Sequence, residues 1–382
     1  MGLPFTCNFV CMVRHFILER NHIFILYILE PMTKEKFLKK FIACAAALLV
    51  IVMLTVVVFD PFYHYHKPLS FLKTVLCDRD FQVCGTLDHF DYDMVVLGSS
   101  IAENINDYEV NALFDAKSVK AVKASGSNSD LLFYLKRAFE KQPVNKVIYA
   151  MSIDEFISDT DLYIKDTDYY YLMDKNPFND LQYLLNKDVL FKKIPMQIAY
   201  SFAFDYKEGE SYSWYQTKTF SKEAICGRYF PAESAIPMYT DDGKKKNVED
   251  NIKLLEDVII AHPETTFYLY TSPCSSLWWD AMYREGQSDS YMEYIEEMCK
   301  TLSSHENVEM YNFIFDEELT FNLDLYMDTV HFSQDINSLI INRIAGGEGK
   351  YIESDYKAVE ESFKKRAELF SEEEIYEIYP VE

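Results

Sequence analysis

Residues 93–100 read DMVVLGSS. Met94 to Leu97 form an unbroken apolar run with β-branched residues at its centre, as a strand covered on both faces requires. Gly98 ends the run and permits a tight turn. Ser99 and Ser100 follow at the carboxyl end of the strand, the rim at which open parallel sheets hold their ligands. A serine at a strand-to-helix turn exposes its hydroxyl and leaves its own N–H unpaired, so one residue can attack a carbonyl and help hold the resulting oxyanion. Read alone, Ser99 or Ser100 is more simply a cap for the next helix.

On the C-terminal side of this stretch, strand and helix signals alternate. The spacing predicts a helix over Asn106 to Phe114, a strand over Val119 to Lys123 and a helix over Ser129 to Lys141, the last with Leu131, Leu132, Leu135 and Phe139 on one face. A third strand is expected over Val144 to Met151, a fourth over Thr265 to Tyr270 and a fifth over Asn307 to Phe313. Helices are expected over Asn247 to Ala261, Tyr291 to Leu302 and Ser333 to Ile344. This order predicts an α/β fold: a flavodoxin-like three-layer parallel sheet spanning residues 93–346. The pattern breaks over about 155–246, a stretch carrying Tyr163, Tyr169, Tyr170, Tyr171, Tyr212, Trp214 and Tyr215. It reads as a Tyr-rich insertion, a lid or a substrate-binding cap. Residues 347–382 form a charged tail, helical over Asp355 to Phe370.

Ahead of this domain, Phe41 to Phe59 reads FIACAAALLVIVMLTVVVF, with no charge, Gly or Pro. About 20 such residues cross a bilayer as a helix. Lys34, Lys36, Lys39 and Lys40 precede it and Asp60 follows, which predicts an uncleaved signal anchor with residues 1–40 cytoplasmic and the main domain outside. Residues 60–92 read as a juxtamembrane segment. Met32 ahead of a lysine-rich run resembles a natural start, so residues 1–31 are expected to be a start-site artefact.

The net charge of −24 excludes nucleic acid as a sensible partner. The eight cysteines are scattered without zinc-like spacing; Cys77 and Cys84 lie close enough in sequence to bridge in an oxidising compartment, free thiols being the alternative. His64 and His66 alternate near the membrane, but with no third ligand nearby a metal site is not expected; interfacial aromatic anchoring suits this stretch better. No cofactor is implied.

Two further features bear on chemistry. Asp328-Thr-Val-His331 places an aspartate three residues before a histidine just ahead of the last core helix. Such a carboxylate can orient the ring, and the ring can take the proton of a serine brought close by the fold; a loop histidine beside a capping aspartate is the plainer alternative. Ala124-Ser-Gly-Ser-Asn128 follows the second strand, and Gly126 there lets the backbone approach a substrate or simply makes a turn.

A serine after strand one, a glycine after strand two and a D-x-x-H before the last helix together resemble the SGNH (GDSL-like) hydrolase family, over roughly residues 90–346. The resemblance implies Ser100 as nucleophile, with Ser99 in place of the family's Asp, His331 as base, Asp328 as its partner and Gly126 as oxyanion donor. It also extends to membrane-anchored relatives that act on cell-envelope polymers. The family's third block is Gly-x-Asn-Asp, whereas strand three here ends Met151-Ser-Ile-Asp154: Asp154 matches the final Asp and Ile153 stands where Asn donates. Ser127 or Asn128 is then the expected substitute donor. What this implies is an anchored extracytoplasmic serine esterase for acyl esters, with an envelope polysaccharide as candidate substrate. An O-acyl transferase or an impaired binding or assembly component is the alternative. Paired carboxylates at Asp154 and Glu155 are a poor glycosidase pair because adjacent residues point apart. Trp278 and Trp279 read as core packing or as cleft lining, and the aromatic insertion as core packing or a sugar-stacking surface.

Overall fold

The computed structural model describes residues 33–174, 176–231 and 242–380. The chain divides into two compact units after Thr55. The first contains most of a helix, Lys34–Phe59, that is long and apolar enough to cross a membrane. It starts before the expected Phe41, because lysine and glutamate are good helix formers and Lys39 Nζ pairs with Glu35 at 2.7 Å one turn away. The stretch 1–31 and the start at Met32 lie outside the described residues.

The second unit is built on a five-stranded, all-parallel sheet in the order β2-β1-β3-β4-β5. The strands are β1 Met94–Gly98, β2 Ser118–Val122, β3 Lys146–Met151, β4 Thr266–Thr271 and β5 Val308–Asn312. Each falls within about two residues of its expected position, because buried parallel strands announce themselves as short apolar runs. Helices Arg79–His89, Asn128–Lys141, Asp242–Ala261 and Ser288–Leu302 pack one against the next in a row. Asp107–Phe114 and Gln334–Gly346 pack together on the other side. This is the flavodoxin-like arrangement, and its crossovers leave on opposite faces between β1 and β3, making a topological switch point there.

Two regions go beyond the expectation. Helix Arg79–His89, within the stretch read as juxtamembrane, packs on Asn128–Lys141 and on β2. The tail helix Glu353–Leu369 puts Phe363 into the core, where it meets Trp279, Phe315 and Phe321. Both Trp278 and Trp279 are buried packing residues rather than cleft lining. Asp60 receives the chain as it leaves the apolar helix. Its side chain accepts the N–H groups of His64, Tyr65 and His66 and the hydroxyl of Tyr183, so a buried polar group is fully hydrogen-bonded.

Candidate active site

Gly98 begins the site. A Cβ there would sit 2.7 Å from the Cβ of Ala102 and 3.1 Å from that of Ala150, so only glycine lets the next turn fold back on β1 and β3. Ser99 and Ser100 lie in that turn, which is closed by the N–H of Ala102 on the Ser99 carbonyl at 3.0 Å. Neither caps a helix. The cap of Asp107–Phe114 is Asn106, whose Oδ1 accepts the N–H groups of Tyr108 and Glu109.

The second half of the site is the loop 326–333. Its neck is closed by a bridge between Tyr326 and Phe332 and by Met327 N–H on the His331 carbonyl at 3.0 Å. Asp328 Oδ1 accepts the N–H of Val330 at 3.0 Å and of His331 at 2.7 Å, a turn that fixes the carboxylate under the ring. Ser275, in the loop after β4, holds the Thr329 carbonyl through its N–H and its hydroxyl, both at 3.0 Å. His331 Nδ1 lies 2.9 Å from Asp328 Oδ2, and Nε2 lies 2.8 Å from Ser100 Oγ. With Nδ1–H donating to the carboxylate, Nε2 presents a lone pair to the serine hydroxyl. Burial works to raise the Asp328 pKa, but the bonds from the His331 ring, from His331 N–H and from Val330 N–H outweigh it and hold the group below its ordinary value. Asp328 is therefore ionised at neutral pH and suited to stabilise an imidazolium.

These groups meet at a cleft of about 450 Å³ at the β1/β3 switch point, lined by Ser99, Ser100, Gly126, Ser127, Asp154, Glu155 and His331 among others. Gly126 lines it, but its N–H is taken by the Lys123 carbonyl at 3.0 Å, so it is not the donor expected. Among the described residues no protein acceptor takes the N–H of Ser100 or of Ser127. The Ser127 hydroxyl caps the helix Asn128–Lys141 through Asp130 N–H and donates to the Asp161 carbonyl. Asn128 turns away from the cleft. It is fully buried, with Nδ2 on Asn251 and Oδ1 accepting from Tyr149, which removes it as a substitute donor. Ile153 is buried in the core. Asp154 is open to solvent at the cleft wall; desolvation by that wall raises its pKa, an effect water access limits.

Three residues at the site were not singled out for it by the sequence. Trp214, in the insertion, donates its indole N–H to the Ser100 carbonyl at 3.1 Å and sets its ring edge-on to His331 at 5.5 Å. Asn104 fixes that segment, its Oδ1 accepting from Ser213, Trp214 and Tyr215. Glu155 is the third. Its Oε2 meets Tyr149 Oη at 2.9 Å and Ser152 N–H at 3.3 Å, while Oε1 has no hydrogen bond among the described residues; Ser99 lies beside it without hydrogen-bond geometry. Proton counting fixes its state. Asn251 Nδ2 donates to the Phe156 and Ser158 carbonyls, so Asn251 Oδ1 accepts from Asn128 Nδ2 and Asn128 Oδ1 must accept from Tyr149. The phenol's one proton is then spent, and its oxygen can only accept from Glu155. A neutral carboxylic acid satisfies this. Desolvation agrees, pushing Glu155 up to about 8 against the pull of the Ser152 N–H.

Among the other sequence candidates, His64 Nε2 faces Asp180 at 3.3 Å and His66 Nε2 faces the Val57 carbonyl at 2.7 Å, so the two rings have separate partners. Cys77 and Cys84 are both free thiols.

Fold and geometry together define a parallel α/β protein that carries a serine–histidine–aspartate hydrogen-bonded chain at its switch point. No protein-family model and no curated protein matches the sequence. Among solved structures, one described as "a putative platelet activating factor from Streptococcus pneumonia" aligns over 75% of this chain and 90% of its own, at 12% identity and a TM-score of 0.34. At that distance the fold assignment rests on the strand order above, and the chemistry on the site itself.

Proposed function

We propose that this chain is a membrane-anchored serine esterase of the SGNH (GDSL-like) type, with its main domain outside the cytoplasm and an acyl ester, such as one on a cell-envelope polysaccharide, as substrate. The observation that carries the reading is the unbroken contact from Ser100 Oγ through His331 to Asp328 within the cleft. Ser100 Oγ attacks the ester carbonyl carbon as its proton moves to His331 Nε2. The carbonyl oxygen becomes the oxyanion, and the N–H groups of Ser100 and Ser127 are the donors left to face it. Collapse expels the alcohol, which takes the proton back from His331. Water, or a sugar hydroxyl in a transferase, then attacks the acyl-enzyme by the same route.

A weaker reading, a non-catalytic binding component on the same fold, draws on the engaged Gly126 N–H and the buried Ile153, since each missing oxyanion donor costs ~10²–10³ in rate. Hydrolysis of p-nitrophenyl acetate by the full chain in detergent micelles separates the two. The esterase reading expects turnover that falls ~10³-fold or more in Ser100→Ala and in His331→Ala. Turnover unchanged in both variants, or none in the wild type, rejects it.

A further inference from the structure

The insertion exposes several large apolar side chains. Phe178 is 86% exposed, Phe191 73%, Phe202 67% and Phe204 64%, with Leu181 and Leu185 exposed between them. The wide turn Val189–Lys193 runs directly into the helix Ile194–Phe202. Along that run Phe191, Pro195 and Phe202 are exposed at spacings of four and seven, which places them on one face, while Val189, Ile194 and Gln197 are buried on the other. Phe71 is also exposed, and two residues on Lys73 N–H donates to Ser201 Oγ at 2.9 Å. Side chains of this size are costly to leave in water, and a helix face that exposes Phe191, Pro195 and Phe202 together is suited to a partner.

The last turn of the apolar helix indicates which partner. Val56 is 0% exposed and lies in one cluster with Phe62, Tyr171, Leu172, Tyr183, Val189 and Ile194. Phe59, Leu184, Leu190 and Ile198 pack against the same cluster. The insertion is therefore wrapped around residues 56–62. Val56 lies three residues inside the apolar run that ends at Phe59, about 4.5 Å along the helix axis. Whatever packs on Val56 sits at the level where that run meets the headgroups. Tyr65, a partly exposed ring suited to this boundary, packs against the cluster.

We infer that the exposed face of the insertion around Phe191 and Phe202 rests in the headgroup–acyl boundary of the bilayer that the helix Lys34–Phe59 crosses. The inference rests on the reading of that helix as an anchor. The seating is apolar rather than electrostatic. Lys192 pairs with Asp188 at 2.9 Å and Lys193 is bonded to Asp78, so the face offers few uncompensated cations to anionic lipid.

The test uses the full chain reconstituted in phosphatidylcholine vesicles, with a solvatochromic amino acid in place of Phe191, Phe202, Leu48 or Lys300. Lipids spin-labelled near the headgroup or deep in the acyl chain serve as quenchers. The expected result is a blue-shifted emission at 191 and 202, quenched at least twofold more by the shallow label than by the deep one, with Leu48 quenched by the deep label and Lys300 by neither. Quenching at Leu48 with none at 191 and 202 overturns the seating and leaves the anchor standing. Absence of quenching at Leu48 removes the anchor and the seating with it. Quenching at 191 and 202 that requires anionic lipid overturns the apolar mode.

Discussion

Glu155 shows what a single buried side chain adds at the residue scale. Its ordinary pKa of 4.5 becomes about 8 in the fold, so as pH rises the unfolded chain loses this proton first. The stability it contributes is complete below pH 4.5 and declines up to about pH 8. The slope is at most about 1.4 kcal/mol per pH unit. Glu155→Gln keeps a neutral donor beside Tyr149 and flattens that slope. Denaturant midpoints at pH 5 and pH 8 check it, and equal pH slopes in the two proteins would count against a neutral Glu155. Trp214 acts through the nucleophile it touches and is a positioning residue. Trp214→Phe removes the bond to the Ser100 carbonyl while keeping an aromatic ring against His331. Because misplacing a reacting group by a fraction of an ångström is expensive, kcat should drop about 3–10-fold with KM nearly constant. A change confined to KM would place Trp214 in substrate binding instead. Ser100, Asp328 and His331 were legible in the sequence because D-x-x-H and a serine after a strand are local signals. Trp214 and Glu155 were not, since their roles depend on partners brought in from β1 and from the helices Asn128–Lys141 and Asp242–Ala261.

At the scale of elements, the strands were readable because burial on both faces writes itself as an apolar run. Helix Arg79–His89 was not. Its sequence, RDFQVCGTLDH, mixes polar and apolar residues and has Gly85 in its middle. The structure supplies the reason for that glycine: a Cβ would lie 2.3 Å from the Phe62 carbonyl oxygen, so the helix lies directly on the backbone that follows the apolar span. Gly98 is the matching constraint at the site. Gly98→Ala drives a methyl into Ala102 and should destabilise the fold by about 2–4 kcal/mol, read as a lower denaturant midpoint. A variant as stable as the parent would show that the β1 turn is looser than its contacts imply. The turn Asp328–His331 gains its order from two directions, its own Asx-type bonds and the Ser275 clamp, which is why it can hold a ring steady at the end of a long loop.

For the whole molecule, the fold closes a separation of 231 residues between Ser100 and His331. It does so with a sheet whose switch point lies beside the nucleophile turn and with a last core helix, Gln334–Gly346, that packs on Asp107–Phe114 and so returns the chain to β1. The alternation of strands and helices made the architecture legible. How the insertion divides its labour was not legible, since composition alone cannot say which tyrosines pack and which face outward: Tyr171, Tyr183 and Tyr212 are buried, Tyr163 lines the cleft and Trp214 reaches the nucleophile. Whether Ser100 is the nucleophile is read from the intact mass of the full chain after exposure to a serine-directed fluorophosphonate. One phosphonyl adduct on Ser100, absent in Ser100→Ala and strongly slowed in His331→Ala, is the predicted outcome. An adduct that persists at the same rate in Ser100→Ala would contradict it.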